Sequence, residues 1–102
     1  MSNDETPGKR VRIEDENGNN YLFIAPQDVM ITVADENSLK HAVTRAYIES
    51  NCRLATKAMK AGVPMLECAE QMKKADAGRG SLLGKIAREM VDYARNQMPK
   101  VS

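Results

Sequence analysis

The chain has no tryptophan, one phenylalanine and three tyrosines among its 102 residues. Its core must therefore be assembled from Leu, Ile, Val, Met and Ala. Its two cysteines, Cys52 and Cys68, are not spaced as a zinc site or a thioredoxin-type pair, so unpaired buried thiols without metal are expected. His41 is the sole histidine and has no Cys or second His to complete a catalytic or metal-binding set. No apolar run approaches the ~20 residues that cross a bilayer, and Met1 to Arg10 is polar, unlike a secretory leader. These absences point away from a membrane and toward a reducing cytoplasm, bacterial or of a virus-infected bacterial cell.

A net charge of +1 conceals a division along the chain. Residues 1–36 hold eight acidic and three basic side chains, a net of −5, whereas residues 37–102 hold six acidic and twelve basic, a net of +6. Head-to-tail packing of subunits, or an anionic ligand held by the basic half, would use such a split. Two ordinary solvated faces account for it equally well. Seven methionines, five of them from Met59 onward, are adaptable fillers for helix interfaces and cores.

Met1 to Lys9 contains Pro7-Gly8, lacks periodicity and reads as a disordered arm, leaving residues 10–102 as a single domain. Val11 and Ile13 alternate with Arg12 and Glu14. Asn17-Gly18 is a strong hairpin signal, and Tyr21 to Ile24 forms the returning strand before Pro26. Alternation resumes over Asp28 to Ala34, with Val29, Ile31 and Val33 on one face. The remainder has helical periodicity. A first helix is expected from about Ser38 to Ala61, with Asp35, Asn37 or Ser38 as its cap, and at roughly 1.5 Å per residue it is about 36 Å long.

That helix carries two apolar stripes, Leu39-Val43-Ala46-Tyr47-Leu54-Ala58 and Ile48-Cys52-Ala55-Met59, which imply two partners. One stripe can cover the sheet while the other meets a further helix or a second subunit. Gly62 closes the helix, Pro64 opens a second that ends before Ala77-Gly78, and Ser81 caps a third that runs to Met98. The expected fold is α+β, a small antiparallel three-stranded sheet followed by three helices, in a homo-oligomer.

The order Glu49-x-x-x-Arg53-Leu54-x-x-x-Ala58-Met59-Lys60-x-Gly62-Val63-Pro64-Met65, followed by Glu70-Gln71-Met72-Lys73, resembles the TSCPD domain. This small domain ends many adenosylcobalamin-dependent ribonucleotide reductases and also occurs as a free-standing short protein. The resemblance is concentrated in residues 45–74. Two features depart from the family pattern: no further strand separates Ile31-Thr32-Val33 from the first helix, and the paired cysteines near the family's C-terminus are missing. Any metal or redox role of those cysteines does not carry over.

Gly78-Arg79-Gly80-Ser81 has the chemistry of an anion site at a helix start, with glycines that permit close approach, outward amides and the charge of Arg79. It lacks the Walker spacing. An ordinary helix connection with a Ser cap is the commoner explanation of the same residues. Lys85, Arg88 and Arg95 follow on the third helix, where they can grip phosphate, or where Lys85–Glu89 and Arg88–Asp92 can form surface pairs. Arg53 belongs to the TSCPD-like motif and is a second-rank ligand candidate, a salt bridge to Glu49 being the alternative. The four aromatic side chains are few enough for the core to absorb.

No nucleophile, base and oxyanion site assemble, so a non-catalytic protein without cofactor is expected. The resemblance and the basic half together imply a nucleotide-binding module, with Arg79, Lys85, Arg88 and Arg53 holding a small phosphorylated ligand. The narrower expectation is sequestration of a cyclic signalling nucleotide in viral counter-defence. The alternative is an accessory subunit or relic domain of an adenosylcobalamin-dependent ribonucleotide reductase, acting through protein contacts. Nucleic-acid binding is the weaker reading, because acids interrupt the basic residues and no aromatic platform stands out.

Overall fold

The computed structural model describes residues 8–15, 18–33 and 42–97. Strands β1 (Lys9–Asp15), β2 (Gly18–Ala25) and β3 (Asp28–Val33) precede helices α1 (Ala42–Lys60), α2 (Met65–Asp76) and α3 (Leu82–Gln97), the α+β order that the periodicity predicts. Lys9, assigned from sequence to the arm, opens β1. The rest of that arm apart from Gly8, the proposed caps of the first helix and His41 lie outside the described residues.

The sheet is antiparallel with spatial order β1-β2-β3. Val11 stands opposite Leu22 and Leu22 opposite Ile31, so alternation directs Ile13, Leu22, Ile24, Val29 and Ile31 into the core. Asp15 pairs with Gly18, which places the glycine of the Asn17-Gly18 signal in the ladder and starts β2 earlier than Tyr21. Buried Asn20 would leave its amide without water, and its Nδ2 instead donates to the Ile13 carbonyl at 3.1 Å.

Of the two α1 stripes, Ile48-Cys52-Ala55-Met59 is buried in the core. Of the other, Val43, Ala46, Tyr47 and Leu54 are exposed, Val43 at 81% and Leu54 at 67%, whereas Ala58 packs half-buried against the core and Leu39 lies outside the described residues. Thr56 ties α1 to the edge strand: its Oγ1 accepts from the Val29 amide at 3.0 Å and lies 3.0 Å from the Val29 carbonyl. Gln27 Nε2 donates to the Met59 carbonyl at 3.4 Å. The Thr56 contacts satisfy edge groups that a strand otherwise exposes, and the Gln27 contact satisfies a carbonyl in the last turn of α1.

Gly62, with φ +106°, ends α1 in a Schellman arrangement, Val63 N–H donating to the Ala58 carbonyl and Gly62 N–H to the Met59 carbonyl, both at 3.0 Å. Pro64 occupies the N-cap of α2 in extended conformation, one position before the helical start expected for it. Helix α2 buries Met65, Cys68, Ala69 and Met72. Its neighbour α3 buries Leu83, Ile86, Ala87, Met90 and Tyr93. Full burial of an Ile or Met side chain contributes about 1.5–3 kcal/mol, so this aliphatic and thioether core compensates for the scarcity of rings.

Candidate functional site

The α2–α3 connection is organised by a residue that the sequence pattern does not single out, Asp76. Helix α2 ends in a left-handed Ala77, φ 54°, whose amide reaches the Lys73 and Lys74 carbonyls. Gly78 and Gly80 also have positive φ, 76° and 70°. This path turns the chain back over the Asp76 side chain. One carboxylate oxygen accepts from Gly80 N–H and the other from Ser81 N–H, each at 2.9 Å, and the Ser81 hydroxyl donates to Asp76 as well.

The Ser81 hydroxyl bond, foremost, holds the Asp76 carboxyl below its ordinary pKa, with the two amides and the Arg79 charge acting in the same direction against desolvation. Ser81 occupies the expected cap position before Leu82, its carbonyl accepting from Lys85 N–H at 3.1 Å, and its hydroxyl is turned to Asp76. The two amides that would serve an external anion are therefore occupied by an internal one. An Asp followed by Gly at its fourth and Ser at its fifth successor was the available signal, since short carboxylates bond amides a few residues ahead.

A groove of about 610 Å³ opens beside this turn. Lys73 of α2 and Lys85, Arg88 and Arg95 of α3 line it, together with Asp76 and Asp92. Four cations thus face two carboxylates, one of which is engaged by the turn. Among the described residues no carboxylate lies within ion-pair distance of Arg88 or Arg95. Lys85 Nζ donates to the Glu14 carbonyl at 3.3 Å, and Glu89 lies 3.8 Å from Lys9 Nζ rather than pairing with Lys85.

The candidate residues therefore separate. Lys85 and Arg88 line the groove, joined by Arg95 and by Lys73, a residue of the TSCPD-like motif that had no ligand role in the sequence pattern. Arg79 is exposed on the turn and does not line the groove. Arg53 is elsewhere, in a small cleft of about 180 Å³ with Glu49, Cys52 and the β3 residues Val29, Met30 and Ile31. Cys52 is 2% exposed there, and burial, reinforced by Glu49, pushes its thiol pKa up to about 12. Cys68 is also buried and free, and burial raises its pKa. Neither thiol is placed to act as a nucleophile.

Comparison of the chain with protein-family models, with curated proteins and with solved structures finds no match. Among the described residues, no helix is long and apolar enough to cross a membrane.

Proposed function

We propose that this chain is a non-catalytic module that binds a small phosphorylated ligand of the nucleotide class in the α2–α3 groove. The observation that carries the reading is the convergence of Lys73, Lys85, Arg88 and Arg95 on one groove. Charge-assisted hydrogen bonds to phosphate contribute about 1.5–3 kcal/mol each, and two arginines with open partners supply the forked donors that phosphate geometry favours. The amides of Gly80 and Ser81 already serve Asp76, so side chains carry this recognition.

The TSCPD resemblance of residues 45–74 supports a ligand from nucleotide metabolism, and sequestration of a cyclic signalling nucleotide in viral counter-defence is the narrowest form of the proposal. Calorimetry against linear and cyclic mono-, di- and trinucleotides tests the reading. At least one should bind, and Arg88→Ala and Arg95→Ala should weaken it about ten-fold or more each with little change in melting temperature. Arg79→Ala and Arg53→Ala should have smaller effects. Absence of binding across the panel at high micromolar concentration would sink the proposal.

One observation favours the accessory-subunit reading as the alternative: the exposed Val43, Tyr47 and Leu54 along α1. Such a stripe serves protein contact, either with another copy of this chain or with an adenosylcobalamin-dependent ribonucleotide reductase. Light scattering of the wild type and of Leu54→Lys distinguishes self-association from monomer. A reductase that co-purifies with the wild type and is lost with Leu54→Lys would replace the ligand reading.

A further inference from the structure

Among the described residues, helices cover one face of the sheet and leave the other open. On the open face Tyr21 and Phe23 project side by side from the central strand, two residues and so about 7 Å apart. The register sets an arginine directly across from each ring, Arg12 opposite Tyr21 and Arg10 opposite Phe23. On the other flank Thr32 stands opposite Tyr21 and Met30 opposite Phe23. Tyr21 is 52% and Met30 55% exposed, both arginines are exposed, and Arg10, Tyr21, Phe23, Met30 and Thr32 bound a shallow hollow of about 370 Å³. Gly8 lies against the outer end of the Phe23 ring, where an added Cβ would collide, so Tyr21 is the more accessible ring.

We propose that this face binds single-stranded nucleic acid, with an unpaired base stacked on Tyr21, a second base against Phe23 and Met30, and Arg10 and Arg12 on the intervening phosphates. Open antiparallel sheets use this combination: aromatic faces stack on any base, and flanking cations track the backbone. The acidic balance of residues 1–36 does not describe this surface. Alternation gives its described part Arg10 and Arg12 against Glu14 and Asp28, and the Asp28 carboxylate is engaged at 3.4 Å by the Thr56 hydroxyl at the sheet edge.

Charge also selects the occupant. A second copy packed face to face would bury the arginines and carboxylates of both copies, whereas a phosphate backbone leaves the face in water and neutralises its arginines. The rings and arginines share one face only once β1 and β2 are in register, which is why the sequence shows no platform. The proposal is independent of the α2–α3 groove.

Fluorescence anisotropy with labelled oligo-dT and oligo-rU, at about 50 and about 200 mM salt, tests it on the full chain. Binding should be present at low salt, weaker at high salt, and weaker for a duplex of equal length. Tyr21→Ala should reduce affinity about ten-fold while Tyr21→Phe retains it. Arg10→Ala and Arg12→Ala should each flatten the salt dependence by about one phosphate contact, and replacement of exposed Lys74, Lys74→Ala, should have no effect. Tyr21 is half exposed, so its replacement leaves the core intact, and an unchanged thermal melt verifies this.

The proposal is overturned if no oligonucleotide binds at low salt, if Tyr21→Ala binds as well as wild type, or if a mononucleotide competes as well per mole as the oligomer. It is equally overturned if Arg88→Ala abolishes binding, which would assign the oligonucleotide to the α2–α3 groove. A doubled mass that Tyr21→Ala returns to monomer would make the face a self-association surface and overturn it too.

Discussion

The Asp76 carboxylate lies against Gly84: a Cβ built on that glycine would stand 2.6 Å from one carboxylate oxygen and 2.7 Å from the carboxyl carbon. The last residue of α2 and the third of α3 are thereby locked together. Glycine within a helix is about 1 kcal/mol less favourable than alanine, so in isolation Gly84→Ala should stabilise α3. Here Asp76 is pinned by two amides and a hydroxyl and has little freedom to retreat. We expect Gly84→Ala to lower the melting temperature, and Asp76→Ala paired with Gly84→Ala to show a non-additive recovery in a double-mutant cycle. Strict additivity would show that the contact carries no energy.

The same carboxylate sets an acid limit. Its folded pKa is lowered, foremost by Ser81, so the native state binds that proton less tightly than the unfolded chain. Its stabilisation is fully present above the unfolded value of about 3.9 and is lost as pH falls through the lower folded value. The stability difference between wild type and Asp76→Asn should therefore be constant near neutrality and shrink below about pH 4. Thermal melts across that range check it, and a difference that stays level through the acid limb would remove Asp76 as the titrating group.

Ala77 adopts a left-handed conformation at the C-cap of α2, where a Cβ is unfavourable by roughly 1–2 kcal/mol. Glycine has no such penalty but loses more backbone entropy on folding. Ala77→Gly is expected to stabilise the protein by about 0.5–1 kcal/mol, measured by urea denaturation with an unchanged m-value. A loss of stability would show that the entropy term dominates.

Cys52 and Cys68 should be slow to alkylate in the native protein, Cys52 above all, because burial suppresses both access and the thiolate. Intact-mass analysis should show no label after brief native treatment at pH about 8 and two labels after denaturation. Rapid native labelling of Cys52 would mean that the core around Val29 and Ile31 opens readily.

The fold was legible wherever one periodicity ruled a segment. Alternation over Val11-Arg12-Ile13 and Val29-Met30-Ile31 identified strands and their buried faces, and Gly62 with Pro64 marked one helix end and the next start. The site was less legible because it depends on relations between segments. Lys73 joins Arg88 only because α2 and α3 pack side by side. Arg53 fell outside the groove because Cys52 turns inward, leaving Arg53 at the α1–β3 cleft. Asp76 was obscured by its own sequence setting, since an acid between lysines and alanines reads as a solvated helix end until the next turn folds over it. The aromatics were assigned to the core, yet Tyr93 alone is fully enclosed, while Tyr21 and Tyr47 are half exposed.

The Thr56 contact with Val29 bears on the order in which the chain folds. The β1–β2 hairpin closes through neighbours in sequence, but the outer edge of β3 is completed by a hydroxyl 27 positions later. Loop closure must precede that reward. The hairpin can form before the helices dock, whereas β3 gains its full set of partners only when α1 arrives. A growing chain therefore carries an unfinished strand until residue 56 and its helix are available, and the Val29 position of the β3 edge closes to pairing with strangers at that moment rather than when the strand is made.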